Sequence, residues 1–240
     1  MKISDSVALV TGGNRGLGAR LVAELLEQGA RKVYVGSRVP EDVAEPVRRD
    51  PRVRVLKLDV TDADSVAAAA VAAPDVTLLV NNAGVLGFGT VLDGDLELFE
   101  RDLRTNYLGA LRTVRAFLPA LRAAPADAAI VNVLTLIALA PVAPMAGYCA
   151  SKAAAHSMTQ ALRAAVAAEG IEVLAAYPGG IDTEMLAGVE AQKADPEVVA
   201  ARIIAALAAG EPVVWPDDAS AAAGAVYAAG PARLEQMLAG

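Results

Sequence analysis

Apolar residues along this chain gather into short, β-branched runs at residues 7–11, 32–36, 53–58, 76–81, 130–134, 171–177 and 212–215. The runs are too continuously apolar to alternate between a wet and a dry face. They therefore predict strands buried on both sides, as in a parallel sheet covered by helices. Longer segments with apolar positions three and four apart lie between them. Leu17, Leu21, Val22, Leu25 and Leu26 form one such stripe, and Gly29 ends it. Similar spacing predicts helices over residues 62–73, 96–123, 148–169 and 196–209. Strand and helix alternate without a Pro/Ser/Gly-rich linker or an internal repeat. This predicts one α/β domain over residues 1–240, a doubly wound sheet of about seven parallel strands flanked by helices on both faces. The tail from residue 217 is rich in small side chains and weakly patterned, and its role stays open, with packing on a neighbouring subunit as one option.

Composition narrows the partners. A hydrophobic content of 55% over 240 residues suffices for a single core. The 21 basic and 28 acidic residues leave a net charge of -7, which repels phosphate backbones and anionic lipid, so neither nucleic acid nor a membrane is an expected partner. Residues 128–151 carry no charge and are long enough to cross a bilayer as a helix. Asn132, Pro141, Pro144 and Gly147 interrupt that stretch, and its β-branched start reads as a buried strand followed by a loop. One cysteine, Cys149, and one histidine, His156, can build neither a disulfide framework nor a zinc site, and no metal is expected. The N-terminus lacks the length and cleavage pattern of a signal peptide, which makes a cytoplasmic location the expectation.

The first predicted strand runs into Thr11-Gly12-Gly13-Asn14-Arg15-Gly16-Leu17-Gly18 and then directly into a helix. Glycines at 12, 16 and 18 permit a tight turn, close backbone approach to a pyrophosphate and close helix-on-sheet packing, while the helix N-terminus offers free N–H groups to the anion. The spacing T-G-x-x-x-G-x-G resembles that of the short-chain dehydrogenase/reductase family. Further motifs follow in family order across residues 5–190: Asp59-Val60-Thr61, Asn81-Asn82-Ala83-Gly84, Asn106, Tyr148-Cys149-Ala150-Ser151-Lys152 and Tyr177-Pro178-Gly179-Gly180. The resemblance implies a Rossmann-type nucleotide-binding domain with the substrate site in its C-terminal half. Asp59 and Val60 then flank the adenine, Asn82, Ala83 and Gly84 line the cofactor, and Pro178, Gly179, Ile181 and Thr183 meet its nicotinamide end and phosphates.

The second strand ends Val35-Gly36-Ser37-Arg38, with no carboxylate to repel a 2′-phosphate. Ser37 can donate a hydroxyl bond, Arg38 supplies a planar fork, and Arg15 in the glycine turn can close from the other side. This favours NADP(H) over NAD(H).

Tyr148 and Lys152 stand four apart on a predicted helix and so share one face. A nearby ammonium and an oxidised nicotinamide ring favour phenolate, which lets Tyr148 exchange a proton with a carbonyl or hydroxyl oxygen. By resemblance Lys152 also holds the nicotinamide ribose and Asn106 holds a water that relays protons. Thr135 occupies the place where the family usually has a serine bonded to the substrate oxygen; the hydroxyl is kept, and the added methyl takes space beside the reacting carbon. Leu134 makes the same wall more apolar. Cys149 and His156 lie about 10.5 Å apart along a helix, too far for a thiolate–imidazole pair.

Resemblance also places the substrate among Leu86, Phe88, Leu136, Ile137, Val142, Met145, Met185 and Leu186. These residues offer no clamp for a carboxylate or phosphate, which points to a neutral, largely apolar ketone or aldehyde, or the matching secondary alcohol. The stretch between Thr183 and Pro196 is short for a lid. A homo-dimer or homo-tetramer packed through the helices of Asn106 and Tyr148 is the family habit. The alternative reading keeps the fold without the chemistry, as an NADP-binding sensor or scaffold. The intact Tyr148, Lys152 and Asn106 weigh against it, since a pure binder needs no proton donor.

Overall fold

The computed structural model describes residues 1–124 and 127–239, so Gly240, the end of the expected domain and tail, lies outside the described residues. Seven strands, β1 (Val7–Thr11), β2 (Lys32–Ser37), β3 (Val53–Lys57), β4 (Leu78–Asn81), β5 (Ala128–Val133), β6 (Ile171–Ala176) and β7 (Val213–Val214), form one sheet in the order β3-β2-β1-β4-β5-β6-β7. Every pairing is parallel, with Val10 opposite Val35 on one side and Val80 on the other. All predicted strands are present, with ends shifted by one or two residues.

Successive residues of β1 show why the runs had to be uniformly apolar. Ala8 and Val10 pack beneath α1 (Gly16–Glu27) and α7 (Pro196–Ala208), with Leu21, Leu25, Ile203 and Leu207. Val7 and Leu9 face the opposite layer, built from α3 (Ala63–Ala72), α5 (Ala110–Arg122) and the end of α6 (Ala146–Val166), with Val66, Phe117, Leu121 and Val166. Both faces are dry, as the pattern required. The strand order reverses direction between β1 and β4, which opens a crevice at the carboxyl ends of those strands.

The structure departs from the predicted elements at three places. The expected helix over residues 96–123 is three pieces: α4 (Leu96–Asp102), a π-helical stretch Leu103–Gly109 that contains Asn106, and α5. The wider π turn is invisible to a periodicity of 3.6. A short helix, α2 (Glu45–Arg49), sits before β3. The weakly patterned tail forms α8 (Asp218–Ala229) and α9 (Pro231–Ala239). Within the chain, α8 and α9 bury Ala223 and Leu234 against Leu136 and Ala140. The alanine-rich α8 carries little amphipathic signal because its buried positions, Ser220, Ala223 and Gly224, are small. The apolar stretch 128–151 is β5, a loop and the start of α6, and among the described residues no helix is long and apolar enough to cross a membrane.

A line of buried polar side chains fixes α5 and α6 to the sheet. Thr113 donates to Asn81 Oδ1 at 2.6 Å, Asn81 Nδ2 to Asn132 Oδ1 at 2.9 Å, and Asn132 Nδ2 to Thr159 Oγ1 at 2.9 Å. Replacing the central amide, Asn132→Leu, leaves a buried amide donor without an acceptor. The expected cost is about 2 to 3 kcal/mol of stability, seen as a lower midpoint in denaturant at unchanged slope. A midpoint equal to the parent's would show that the line adds nothing to stability.

Candidate active site

The turn after β1 takes its shape from its glycines. Gly12 and Gly16 have φ of 64° and 53°, a region that side chains rarely enter, and a Cβ at Gly18 would overlap the Gly12 carbonyl and lie 2.6 Å from Asn82 Nδ2. Thr11 Oγ1 accepts the main-chain N–H groups of Asn82 and Ala83, both at 3.0 Å, and Asn82 Nδ2 donates to the carbonyls of Thr11 and Gly12. These bonds clamp the ends of β1 and β4 together at the crevice. No side chain caps α1, whose N-terminal N–H groups are left for an anion.

One cleft of about 820 Å³ runs from this turn to Tyr148. Its walls bring together Gly12, Asn14, Arg15, Gly16, Leu17 and Gly18 with Ser37, Arg38, Asp59 and Val60 at one end. Asn82, Ala83, Gly84, Thr135, Tyr148, Lys152, Pro178, Gly179, Ile181 and Thr183 lie toward the other, with Leu86, Leu136, Ile137, Val142, Met145, Met185 and Leu186. Of the candidate residues read from the sequence, Asn106 and Phe88 do not line it. Phe88 is half exposed to solvent.

At the Arg38 end, burial raises the Asp59 carboxyl, but hydrogen bonds from the Thr61 amide and hydroxyl, with the Arg38 charge, hold it below its ordinary value. Ser37 already donates its hydroxyl hydrogen to the Val39 carbonyl at 2.8 Å. Arg15 reaches across the cleft to Glu184 Oε2 at 2.6 Å rather than standing free. The segment that carries Glu184 leaves and rejoins the sheet edge at one point, because Ala194 N–H donates to the Gly180 carbonyl and Asp182 N–H to the Ala194 carbonyl. Short as it is, this loop roofs the cleft.

The first turns of α6 pass close to α4 because Gly147 has no side chain to meet the Phe99 ring. This approach buries Tyr148 and Lys152, which are 8% and 6% exposed. Lys152 Nζ donates to the Val133 carbonyl at the end of β5, 2.8 Å away, and lies 5.9 Å from the centre of the Tyr148 ring. Burial lowers the Lys152 ammonium to about 8, against a smaller upward pull from Asp102. Burial also raises the Tyr148 phenol well above its usual range, and the Cys149 and Asp102 charges push it the same way. The chain's own groups therefore leave Tyr148 a protonated phenol at neutral pH. The lowering expected for the Tyr–Lys pair called on an oxidised nicotinamide ring as well. Among the described residues neither the Tyr148 nor the Thr135 hydroxyl has a protein hydrogen-bond partner, although both residues line the cleft.

Asn106 acts from behind. Its Oδ1 accepts from Val85 N–H, and Nδ2 donates to the Val85 carbonyl and to Ser151 Oγ, each at 2.9 Å. Both amide hydrogens are thus committed to fixing the loop after Gly84 against α6, and a water would have only the second lone pair of Oδ1.

Sequence reading missed Asp102, Arg101 and Asp217. Asp102 is fully buried, accepts Gly87 N–H at 2.9 Å and is gripped by Arg101 through two nitrogens. Arg101 lines the cleft, so the pocket does contain a cation, with its charge countered by Asp102. Neither residue carried a signal, since a charged pair at the end of a helix reads as a wet surface. His156 meets the Tyr177 hydroxyl at 2.6 Å and packs edge-on to its ring, a packing role in keeping with the absence of a cysteine partner.

The comparisons agree with this geometry. The family model described as short chain dehydrogenase matches residues 6–194. A short chain dehydrogenase from Burkholderia cenocepacia, solved in complex with NADP, is 40% identical, with a TM-score of 0.93 over 99% of both chains. An uncharacterized oxidoreductase of Staphylococcus saprophyticus is 31% identical over 86% of this chain and 93% of its own length. The 2,5-dichloro-2,5-cyclohexadiene-1,4-diol dehydrogenase LinX of Sphingobium indicum is 33% identical over 78% of each. The short chain dehydrogenase tazN of Aspergillus terreus is 35% identical over 80% of this chain, which spans 44% of that protein. A short chain dehydrogenase/reductase from Burkholderia phymatum in complex with NAD shares the fold, with a TM-score of 0.84 at 22% identity over 92% of both chains. With its parallel seven-stranded sheet, its glycine turn and a family match over most of its length, the chain belongs to the short-chain dehydrogenase/reductase family of oxidoreductases.

Proposed function

We propose that this protein is an NADP(H)-dependent carbonyl reductase or alcohol dehydrogenase that takes a neutral, largely apolar ketone or aldehyde, or the matching secondary alcohol. The observation that carries this reading is the pair of unpartnered hydroxyls, Tyr148 and Thr135, in the same cleft as the glycine turn, with the Lys152 ammonium held at its floor.

The cleft fits a dinucleotide on its own features. A side chain at Gly12, Gly16 or Gly18 would crowd or strain the turn, and the α1 amides lie beside it. Gly12, Asn14, Gly16, Leu17 and Gly18 would hold the diphosphate, Ser37 and Arg38 the 2′-phosphate, Asp59 and Val60 the adenine, and Lys152, Ile181 and Thr183 the nicotinamide half. Arg38 directly after β2, where the strand itself ends without an acid, supports NADP(H), and the relative solved with NADP points the same way. When bound, the cofactor supplies or accepts hydride at the carbonyl carbon. Thr135 donates a hydrogen bond to the substrate oxygen and Tyr148 gives it the phenolic proton, a role matched to a phenol that burial keeps protonated. Lys152 uses one N–H on the Val133 carbonyl and keeps two for the cleft. The Leu136, Ile137, Val142 and Met145 wall, with Arg101 neutralised by Asp102, suits an apolar substrate body. LinX, a relative, is named as the dehydrogenase of a chlorinated cyclic diol, which is an uncharged alcohol.

Three outcomes test the reading. Tyr148→Phe should cut NADPH-dependent reduction of neutral ketones and aldehydes by about 100-fold or more while NADPH affinity stays within about threefold; turnover that survives the change removes Tyr148 as proton donor. Arg38→Ala should weaken NADPH by about 10- to 100-fold and NADH by less than about threefold in titrations of nicotinamide fluorescence. Equal losses would leave the choice of cofactor without its stated cause.

The third concerns Lys152. Its folded value of about 8 lies below the ordinary 10.5, so the full cost of burying the ammonium falls on the fold below pH 8. That cost fades as pH rises toward 10.5, where the unfolded chain holds the extra proton. Lys152→Met, inactive, should therefore be more stable than the parent at pH 7 by about 2 kcal/mol, after loss of the Val133 bond. The advantage should shrink between pH 8 and 10, and a difference independent of pH would contradict the burial cost.

A further inference from the structure

The family match ends at residue 194, yet the chain continues through β7 into α8 and α9, and this last part touches the cleft at one polar point. Asp217, at the N-cap of α8, is 4% exposed. Its Oδ2 accepts the Gly179 N–H at 2.8 Å and the Ser220 hydroxyl at 2.9 Å, and its Oδ1 accepts the Ser220 N–H at 2.9 Å. We propose that Asp217 is a positioning residue for the nicotinamide end of the cleft, holding the 178–181 segment in place through the Gly179 amide.

Residues 177–180 are each fastened to a different part of the chain, Gly180 through its carbonyl to Ala194 N–H. Tyr177 N–H donates to the Val214 carbonyl of β7, the Pro178 carbonyl accepts from Leu136 N–H, and Gly179 N–H goes to Asp217. A Cβ on Gly179 would lie 3.0 Å from Asp217 Oδ1 and 3.3 Å from Leu136 Cδ2, so main chain alone fits between the carboxylate and the wall. The Tyr177 and Pro178 bonds go to main-chain groups of β7 and of the stretch after β5. Asp217 supplies the one charged acceptor, and a main-chain N–H bonded to a buried carboxylate is held more tightly than one bonded to a neutral oxygen. The carboxylate is itself well placed, since its charge sits at the N-terminus of α8 and Arg202 from α7 donates to the adjacent Pro216 carbonyl and Asp218 carboxylate. Trp215 packs against Gly224 of α8 and stacks on Tyr177 at 4.9 Å, so the helix has little freedom to drift from the segment it holds.

Pro178, Gly179, Gly180 and Ile181 all line the cleft. The inference rests on the reading of that cleft as an NADP(H) site, and it adds that the nicotinamide half is placed by the C-terminal helices. The test compares NADPH with its nicotinamide-free fragment, 2′-phospho-ADP-ribose, which lacks the ring that the segment would place. Asp217→Asn keeps the size but only one acceptor oxygen, which can serve the main-chain N–H of Gly179 or that of Ser220 but not both, since a different carboxylate oxygen holds each. It should weaken NADPH by about tenfold and leave 2′-phospho-ADP-ribose within about twofold. Ser220→Ala, which loosens the helix cap and leaves the Gly179 bond, should lower the melting temperature and spare both affinities.

Equal losses for the two ligands, or no loss for either, would overturn the positioning role. So would a Ser220→Ala variant that reproduces the NADPH loss, because the effect would then pass through the helix rather than the carboxylate. A parent protein that binds neither ligand removes the cofactor reading itself and the inference with it, a failure told apart by needing no variant.

Discussion

An ammonium taken out of water is the constraint on which this site depends. Lys152 reaches the cleft floor from the second turn of α6, and the Val133 carbonyl at the end of β5 is the group that receives it. Burial lowers its proton affinity and raises that of the neighbouring phenol, so two groups with similar ordinary values are driven apart in titration. Such an arrangement costs stability and persists because the surrounding packing imposes it. Gly147 lets α6 close on Phe99 of α4, and the Asn132–Thr159 bond ties the middle of α6 to β5.

The loops around the pair are held by side chains that never meet the reacting atoms. Asn106 fixes Val85, Asp102 fixes Gly87, and Asp217 fixes Gly179, each through a main-chain amide at the rim. A π-helical stretch carries Asn106, and the added residue in its turn sets that side chain between the Gly84 loop and Ser151. Asp102 lends charge to both Tyr148 and Lys152 as well as shape to the loop. Electrostatics and loop geometry thus share the same buried carboxylate.

Much of the site could be read from the sequence because its parts obey local rules. A glycine needed for positive φ, a helix that begins directly after a glycine turn, and two side chains one turn apart are properties of neighbouring residues. They survive without knowledge of the fold. The same holds for the strands, whose continuous apolar character follows from being covered on both faces. Asp217 is instructive in the other direction: Asp-x-x-Ser is a legible helix start, yet the alanines after it give no stripe, and the helix passed unmarked. Arg101, Asp102 and the Arg15–Glu184 pair had no local sign at all, since each matters through a partner that only the fold brings near.

By itself, then, the sequence determined the sheet, the phosphate turn, the Tyr148–Lys152 face and the cationic end at Arg38, all set by spacing along the chain. The tertiary structure alone decided the burial of Tyr148, the commitments of Ser37, Arg15 and Asn106, and the packing of the C-terminal helices against Leu136 and Ala140. The physical reason is range. Backbone conformation and periodicity are fixed within a few residues, whereas desolvation and hydrogen-bond partnership depend on which distant segments exclude water from a group and which of them reach it first.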